Sequence, residues 1–347
     1  MSAPPRRQPG RHLVLVGPTA SGKSAAAVEL ALRRSADGRP VEIISCDSMA
    51  VYRGMDIGTA TPSISERRGV PHHLLDVVEP SEEFSVQRFV ELVGVALDGI
   101  ESRGADAVLV GGTGLYVQAI VDGLQPPPQF PDVAAELELL GTDELEARLA
   151  SLDPLAYTRV PSGNRRRLIR ALEVTIGSGR PFSSYGPGLD AYPETPFVFT
   201  GLTLPRQVLA ARIAERYRQQ MAGGFLDEVA ALSDPPDGWS RTASAALGYR
   251  ELAAHRRGEM SLDDAVTLAV QRTRRFAVRQ ERWFRRDPRI TWFAAASNDG
   301  GPVPPEALAR SLADHWDDRI DSSLAGSLEL DHDGGGATTT VETSCCE

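Results

Sequence analysis

Residues 17–24 read Gly-Pro-Thr-Ala-Ser-Gly-Lys-Ser, a match to G-x-x-x-x-G-K-[ST], and their flanks supply the context that motif needs. His12-Leu13-Val14-Leu15-Val16 is a short apolar run of the kind that forms a strand buried on both faces. Ser24 to Leu32 is rich in alanine and leucine, both strong helix formers. Strand, glycine loop and helix in that order predict an α/β fold, a parallel sheet of the P-loop NTPase type. In such a loop, backbone N–H groups converge on an anion at the positive end of a helix. Gly17, Pro18, Thr19, Ala20, Ser21 and Gly22 form the cradle, Lys23 adds a point charge, and Ser24 offers a hydroxyl to a phosphate-bound Mg²⁺. Lys23 is also the only lysine among the 37 Lys and Arg residues of the chain. Where arginine fills every other cationic position, one retained ammonium marks a place too tight for a planar guanidinium fork.

The motif alone does not say what happens to the phosphate. NTP-consuming enzymes of this class carry an apolar strand ending in an Asp that holds the metal. The best such strand here, Ala107-Val108-Leu109-Val110, runs into Gly111-Gly112-Thr113-Gly114-Leu115-Tyr116 without an acid. That absence favours a diphosphate bound as a leaving group over a phosphoryl group being transferred. The acid comes from another strand: Val41 to Cys46 is β-branched and ends at Asp47. Carboxyl ends of parallel strands line the ligand crevice, so Asp47 and Thr113 are expected on the same side as the P-loop. A carboxylate there binds Mg²⁺, takes a proton, or merely caps the following segment.

Six blocks of sequence, in order between about residues 12 and 293, resemble bacterial tRNA dimethylallyltransferases (tRNA isopentenyltransferases, the IPP transferase family). They are the P-loop, the run from Asp47 to Thr59, Pro71 to Asp76, Gly111 to Tyr116, Arg166 to Val174, and Thr273 through Gln280 to Arg285. The resemblance implies transfer of a dimethylallyl group from its diphosphate to N6 of adenosine 37, next to the tRNA anticodon. By the same resemblance Asp47 is the general base and Thr113 contacts the reacting groups. Lys23, Ser24 with Mg²⁺, and Arg216 stabilise charge on the leaving diphosphate. The residues implied to meet tRNA are Asp47, Ser48, Met49, Ala50, Thr113 and the stretch Arg166, Arg167, Leu168, Ile169 and Arg170. One departure stands out: the family reads Asp-Ser-x-Gln where this chain has Asp47-Ser48-Met49-Ala50. Ala50 lacks the carboxamide that could hydrogen-bond a base edge.

For the tRNA enzyme that the resemblance implies, a net charge of −10 needs explaining. Residues 298–347 hold 11 acids against Arg310 and Arg319, a local charge of −9 that leaves the body near neutral. Within that body, eight arginines between Arg272 and Arg289 crowd one helical segment, enough for a stripe that tracks phosphates. A solvated helix face in an arginine-rich chain is the plainer alternative.

Four segments are expected. Residues 11–121 are the first part of the P-loop core. Residues 122–195 are an inserted, mostly helical tRNA-binding domain announced by Pro126-Pro127-Pro128. Residues 196–297 are the second part of the core with the basic helix. Residues 298–347 are an acidic, disordered tail with one helix near Glu306 to Asp317, dispensable on that reading. Three cysteines, Cys46, Cys345 and Cys346, offer neither a disulfide framework nor metal spacing. Met1 to Arg7 lacks the apolar core of a signal peptide, and no apolar run reaches 18 residues. A cytoplasmic monomer binding dimethylallyl diphosphate, Mg²⁺ and a tRNA anticodon stem-loop, with no membrane partner, is the expectation. His72 and His73 point opposite ways on a strand and read as structural or substrate-loop residues, and Trp283, Phe284 and Trp292 as packing. The competing functions are a P-loop kinase or NTPase, prenyl transfer to free AMP, and an RNA-binding protein with a regulatory P-loop.

Overall fold

The computed structural model describes residues 8–332, apart from 125, 187, 234–237 and 298–299. The apolar run at its start becomes β1 (His12–Val16), buried at every position because strands pair with both its edges and helices cover the faces of the sheet. With β2 (Val41–Ser45), β3 (His72–His73), β4 (Asp106–Gly111), β5 (Phe197–Thr203) and β6 (Thr291–Ala294) it forms a parallel sheet in the order β3-β2-β4-β1-β5-β6. Register decides where the chemistry lies. Val16 pairs with Gly111 and Gly201, and Ser45 with Val110, so the carboxyl ends of β1, β2, β4 and β5 finish level. The loops that follow them therefore open onto one rim.

Helices α1 (Lys23–Ala36), α2 (Ile64–Arg67), α3 (Val86–Ser102) and α4 (Gly114–Val121) belong to this first half. Between α4 and β5 the chain builds α5 (Pro131–Glu138), α6 (Thr142–Leu152), α7 (Pro154–Arg159) and α8 (Arg165–Ser178). These four share a separate apolar core of Leu137, Leu145, Leu149, Ala156, Leu168, Ile169, Ala171 and Leu172. A second helical stretch separates β5 from β6: α9 (Arg206–Ala222), α10 (Phe225–Ser233), α11 (Tyr249–Arg256) and α12 (Leu262–Phe284). Its apolar faces join the main core, with Phe225 edge-on to Tyr249 at 4.9 Å.

Of the tail expected over 298–347, the one helix expected near Glu306 to Asp317 is present, and what is corrected is its extent and its dispensability. Residues Pro305–His332 form one helix, α13, which packs along α1. Leu308, Leu312 and Trp316, spaced by four, make the buried stripe together with Ala309 and Ala313. Trp316 is fully buried and its Nε1–H donates to the Gly10 carbonyl at 2.8 Å. Of the acids that suggested disorder, Glu306, Asp314, Asp318 and Asp321 are exposed away from that stripe, and Asp317 accepts from the buried Arg34 at 2.7 Å. Residues 333–347, with Gly334 to Gly336, Cys345 and Cys346, lie outside the described residues, as do Met1 to Arg7. Among the described residues no helix is long and apolar enough to cross a membrane.

Candidate active site

The phosphate loop takes its shape from three backbone constraints. Gly17 sits at φ 145°, and a Cβ there would stand 2.7 Å from the Leu202 carbonyl oxygen. Ala20 at φ 63° and Gly22 at φ 92° turn the chain into α1 through left-handed conformations, easy for glycine and costly for alanine. The first turn of α1 has neither a capping side chain nor an acid, so its N–H groups and positive end are left for an external anion. Lys23 is only 9% exposed. Its Nζ donates to the Pro18 carbonyl at 2.7 Å and lies 3.5 Å from Ser21 Oγ. Burial pulls its pKa down to about 8, with Asp47 opposing and Arg216 adding to the shift. The ammonium is thus poorly solvated, and an entering phosphate would restore what burial removed. Ser24, by contrast, is exposed.

Asp47 leaves the end of β2 half-buried. Its Oδ1 accepts the Met49 N–H at 2.8 Å, so it does cap its own turn, while that bond leaves Oδ2 open for chemistry. Thr113, the residue before α4, points its hydroxyl at the same loop: Oγ1 accepts the Ser48 N–H at 3.2 Å and donates to Ser48 Oγ at 3.3 Å. Arg216 arrives from α9, far along the chain, and its Nη2 donates to Thr19 Oγ1 in the phosphate loop at 2.8 Å. Its Nε is buried without a hydrogen-bond partner, and burial lowers its pKa against the pull of Asp47. Asp47, Thr113, Arg216 and Lys23 therefore converge on one crevice. A buried ammonium and a half-buried guanidinium beside a single carboxylate suit a substrate that arrives with a diphosphate and leaves a proton behind.

The sequence model of the family described as IPP transferase matches residues 50–287. The chain belongs to the IPP transferase family. It is 46% identical over 311 residues to a tRNA dimethylallyltransferase of Kineococcus radiotolerans, spanning 88% of this chain and 96% of that protein. To one of Desulforudis audaxviator it is 44% identical over 296 residues, spanning 84% and 94%. The solved tRNA isopentenylpyrophosphate transferase of Bacillus halodurans superimposes with a TM-score of 0.66 at 35% identity, covering 93% of this chain and 99% of that one. A eukaryotic dimethylallyltransferase acting on tRNA shares the fold, with a TM-score of 0.70 at 23% identity over 93% of this chain and 79% of the other.

For an IPP transferase the missing acid at the end of β4 is no defect. Among the described residues no group of three or more His, Cys, Asp or Glu side chains is placed to hold a metal. Mg²⁺ binds readily through one or two protein oxygens, with phosphate oxygens and waters completing its octahedron. The exposed Ser24 hydroxyl at the mouth of the cradle, beside Lys23, fits that sparse donor set.

The residues expected to meet RNA divide into two kinds. Arg166 and Arg167 are exposed at the start of α8. Leu168 and Ile169 are buried in the core of the inserted helices, so a surface role for their side chains is corrected: the helix turns them inward. Arg170 is also committed internally. It donates to the Pro127 carbonyl at 2.7 Å, the Pro128 carbonyl at 3.2 Å and Glu173 at 2.9 Å, clamping the proline-rich entry to the insertion. Ala50 is 5% exposed and its carbonyl accepts the Asp76 N–H, so this IPP transferase presents no side chain at that position. Ser48 and Met49 remain half-buried beside Asp47.

The arginine cluster of α12 and its sequel divides the same way. Arg289 pairs with Asp287 and Asp122, and Arg272 with the buried Glu251. Arg275, Arg279 and Arg282 stand exposed at i, i+4 and i+7 on one face. His73 pairs with Glu42 at 2.6 Å and His72 with the Val70 carbonyl at 2.8 Å, both structural bonds.

Proposed function

We propose that this IPP transferase moves a dimethylallyl group from dimethylallyl diphosphate to N6 of adenosine 37 in a tRNA anticodon stem-loop, releasing diphosphate. The observation that carries this reading is the convergence of Asp47 and Thr113 with Lys23 and Arg216 around one phosphate cradle. An adenine amino group is a weak nucleophile because its lone pair is delocalised into the ring. It needs a carbon with a good leaving group and a base for its proton. The N6 lone pair forms the bond to C1 of the allyl group while the C1–O bond breaks and its electrons leave on the diphosphate. Lys23, Arg216 and the α1 N–H groups receive that charge. The N6 proton passes to Asp47 Oδ2, the oxygen that Met49 leaves free. Thr113, fixed by Ser48, orients the amine and the reacting oxygen. Bound at Ser24, Mg²⁺ would add charge neutralisation on the departing diphosphate. We place the enzyme in the cytoplasm as a monomer.

Incubation with labelled dimethylallyl diphosphate and Mg²⁺, offering unmodified tRNA or AMP, tests the reading. Label on tRNA supports it, label on AMP moves the acceptor, and steady ATP hydrolysis without prenyl transfer overturns it.

Lys23→Arg tests the cradle itself. The Nζ already fills a slot bounded by the Pro18 carbonyl and Ser21, and a guanidinium needs more width. Weaker diphosphate binding and a loss of about 10²-fold in kcat/KM are expected, in line with misplacing a reacting group by about 1 Å. Normal kinetics would show that the lone lysine is replaceable.

The arginines of α8 give a contrast. Arg166→Ala with Arg167→Ala should weaken tRNA binding and shrink its salt slope by about one per lost phosphate contact. Arg170→Ala should act instead on thermal stability, because it unties Pro127, Pro128 and Glu173. Filter binding across a salt series, paired with melting curves, separates the two. Equal effects on both readouts would refute the division.

A further inference from the structure

Gln280 lies on α12 with 6% of its surface exposed, and its amide is spent on backbone from two different loops. Oε1 accepts the Thr19 N–H at 2.9 Å, from the phosphate loop after β1. Nε2 donates to the Gly112 carbonyl at 2.9 Å, from the loop after β4. The contact is close: a Cβ on Gly112 would stand 2.1 Å from Gln280 Nε2 and 3.3 Å from the Gly17 carbonyl oxygen. Only a glycine lets the amide lie on that backbone.

Thr19 and Gly112 are each one step from the chemistry. Thr19 is gripped twice, by Gln280 at its backbone and by Arg216 at its hydroxyl. Gly112 precedes Thr113, whose hydroxyl holds Ser48 next to Asp47. A carboxamide presents one acceptor and one donor on a rigid plane, which matches an N–H on one side and a C=O on the other.

We propose that Gln280 is a positioning residue that sets the separation between the diphosphate cradle and the Thr113–Asp47 pair, and so holds C1 of the allyl group in line with the attacking amine. The inference rests on the prenyl-transfer reading above. It also gives α12 a double task. Its outer face carries Arg275, Arg279 and Arg282, and the residue after Arg279 braces the reaction centre from within. The rest of the contact surface of α12 supports the same joint, since a Cβ on Gly114 would stand 2.4 Å from the Trp283 ring.

The test uses the full-length enzyme with Gln280→Glu and Gln280→Met. Gln280→Glu keeps an acceptor for Thr19 and sets a second acceptor against the Gly112 carbonyl. Gln280→Met fills the space and makes neither bond. Steady-state kinetics with tRNA, tRNA affinity, and calorimetric titration with inorganic diphosphate are measured for both, with the fraction of competent sites taken from the titration. A lost positioning contact should lower kcat per competent site by about 10²-fold, raise KM for dimethylallyl diphosphate less than kcat falls, and leave tRNA affinity within about twofold. Diphosphate affinity should weaken several-fold in both variants. If kcat per competent site is unchanged and only the number of competent sites falls, Gln280 is structural and the proposal is overturned. The diphosphate titration involves no prenyl acceptor. Should the wild-type enzyme prenylate nothing, a weakened diphosphate affinity would still support the clamp, and an unchanged one would remove it.

Discussion

Asp47→Asn is expected to bind dimethylallyl diphosphate and tRNA and to lose about 10²–10⁴-fold in kcat, the range a positioned general base supplies. The substitution is clean because the amide oxygen can still accept the Met49 N–H that Asp47 Oδ1 now holds, so the turn after β2 should keep its shape. What disappears is the basic Oδ2 and one negative charge. The charge has its own consequence. Asp47 is the group that resists the lowering of the Lys23 pKa, so without it the ammonium should lose its proton at lower pH than about 8. Lys23 binds the diphosphate only when protonated. The variant should therefore lose diphosphate affinity progressively as pH rises from neutrality, over a range where the wild type still binds. Single-turnover rates with diphosphate titrations at several pH values measure both effects. A kcat near that of the wild type would remove Asp47 as base, and a selective loss of the Mg²⁺ requirement would make it a metal ligand.

The phosphate loop, the strand before it and the helix after it could be read from residues 12–32 because each rests on local chemistry: apolar strand, glycine turn, alanine-rich helix. Asp47 and Thr113 followed from one topological rule, since both end parallel strands whose registers finish level. Gln280 was not visible in that way. It is 261 residues from Thr19 and 168 from Gly112, and nothing local distinguishes a glutamine that braces two loops from one that faces water. Arg216 entered only through family resemblance, for the same reason. Burial was the other blind spot. Arg166, Arg167 and Arg170 look alike in sequence, and only the packing of α8 shows that the third is tied to prolines 127 and 128. In the C-terminal segment, charge count misled: eleven acids hid a four-residue apolar period.

That period reverses the expectation that the chain can be cut after residue 297. Removing α13 strips Leu308, Leu312 and Trp316 from the main core. Losing a fully buried tryptophan side chain alone costs about 3–5 kcal/mol, against a total of about 5–15 kcal/mol for a typical domain. Arg34 adds to the loss. Its guanidinium stacks on the Trp316 ring at 4.0 Å and pairs with Asp317 at 2.7 Å, and the cut leaves it buried with Asp106 at 3.9 Å as its remaining carboxylate. Because Arg34 lies on α1, whose first turn continues from the phosphate cradle and carries Lys23, loosening this contact should reach diphosphate binding as well as stability. A protein ending at residue 297 is expected to be insoluble or to lack a cooperative melt. Trp316→Ala should fold with a melting temperature several degrees lower, as about 3–5 kcal/mol implies. A protein ending at residue 321 retains the whole buried stripe and should melt close to the full chain. If the 297-residue form is soluble, melts normally and transfers the allyl group, α13 is an accessory and the stripe contributes nothing the core needs.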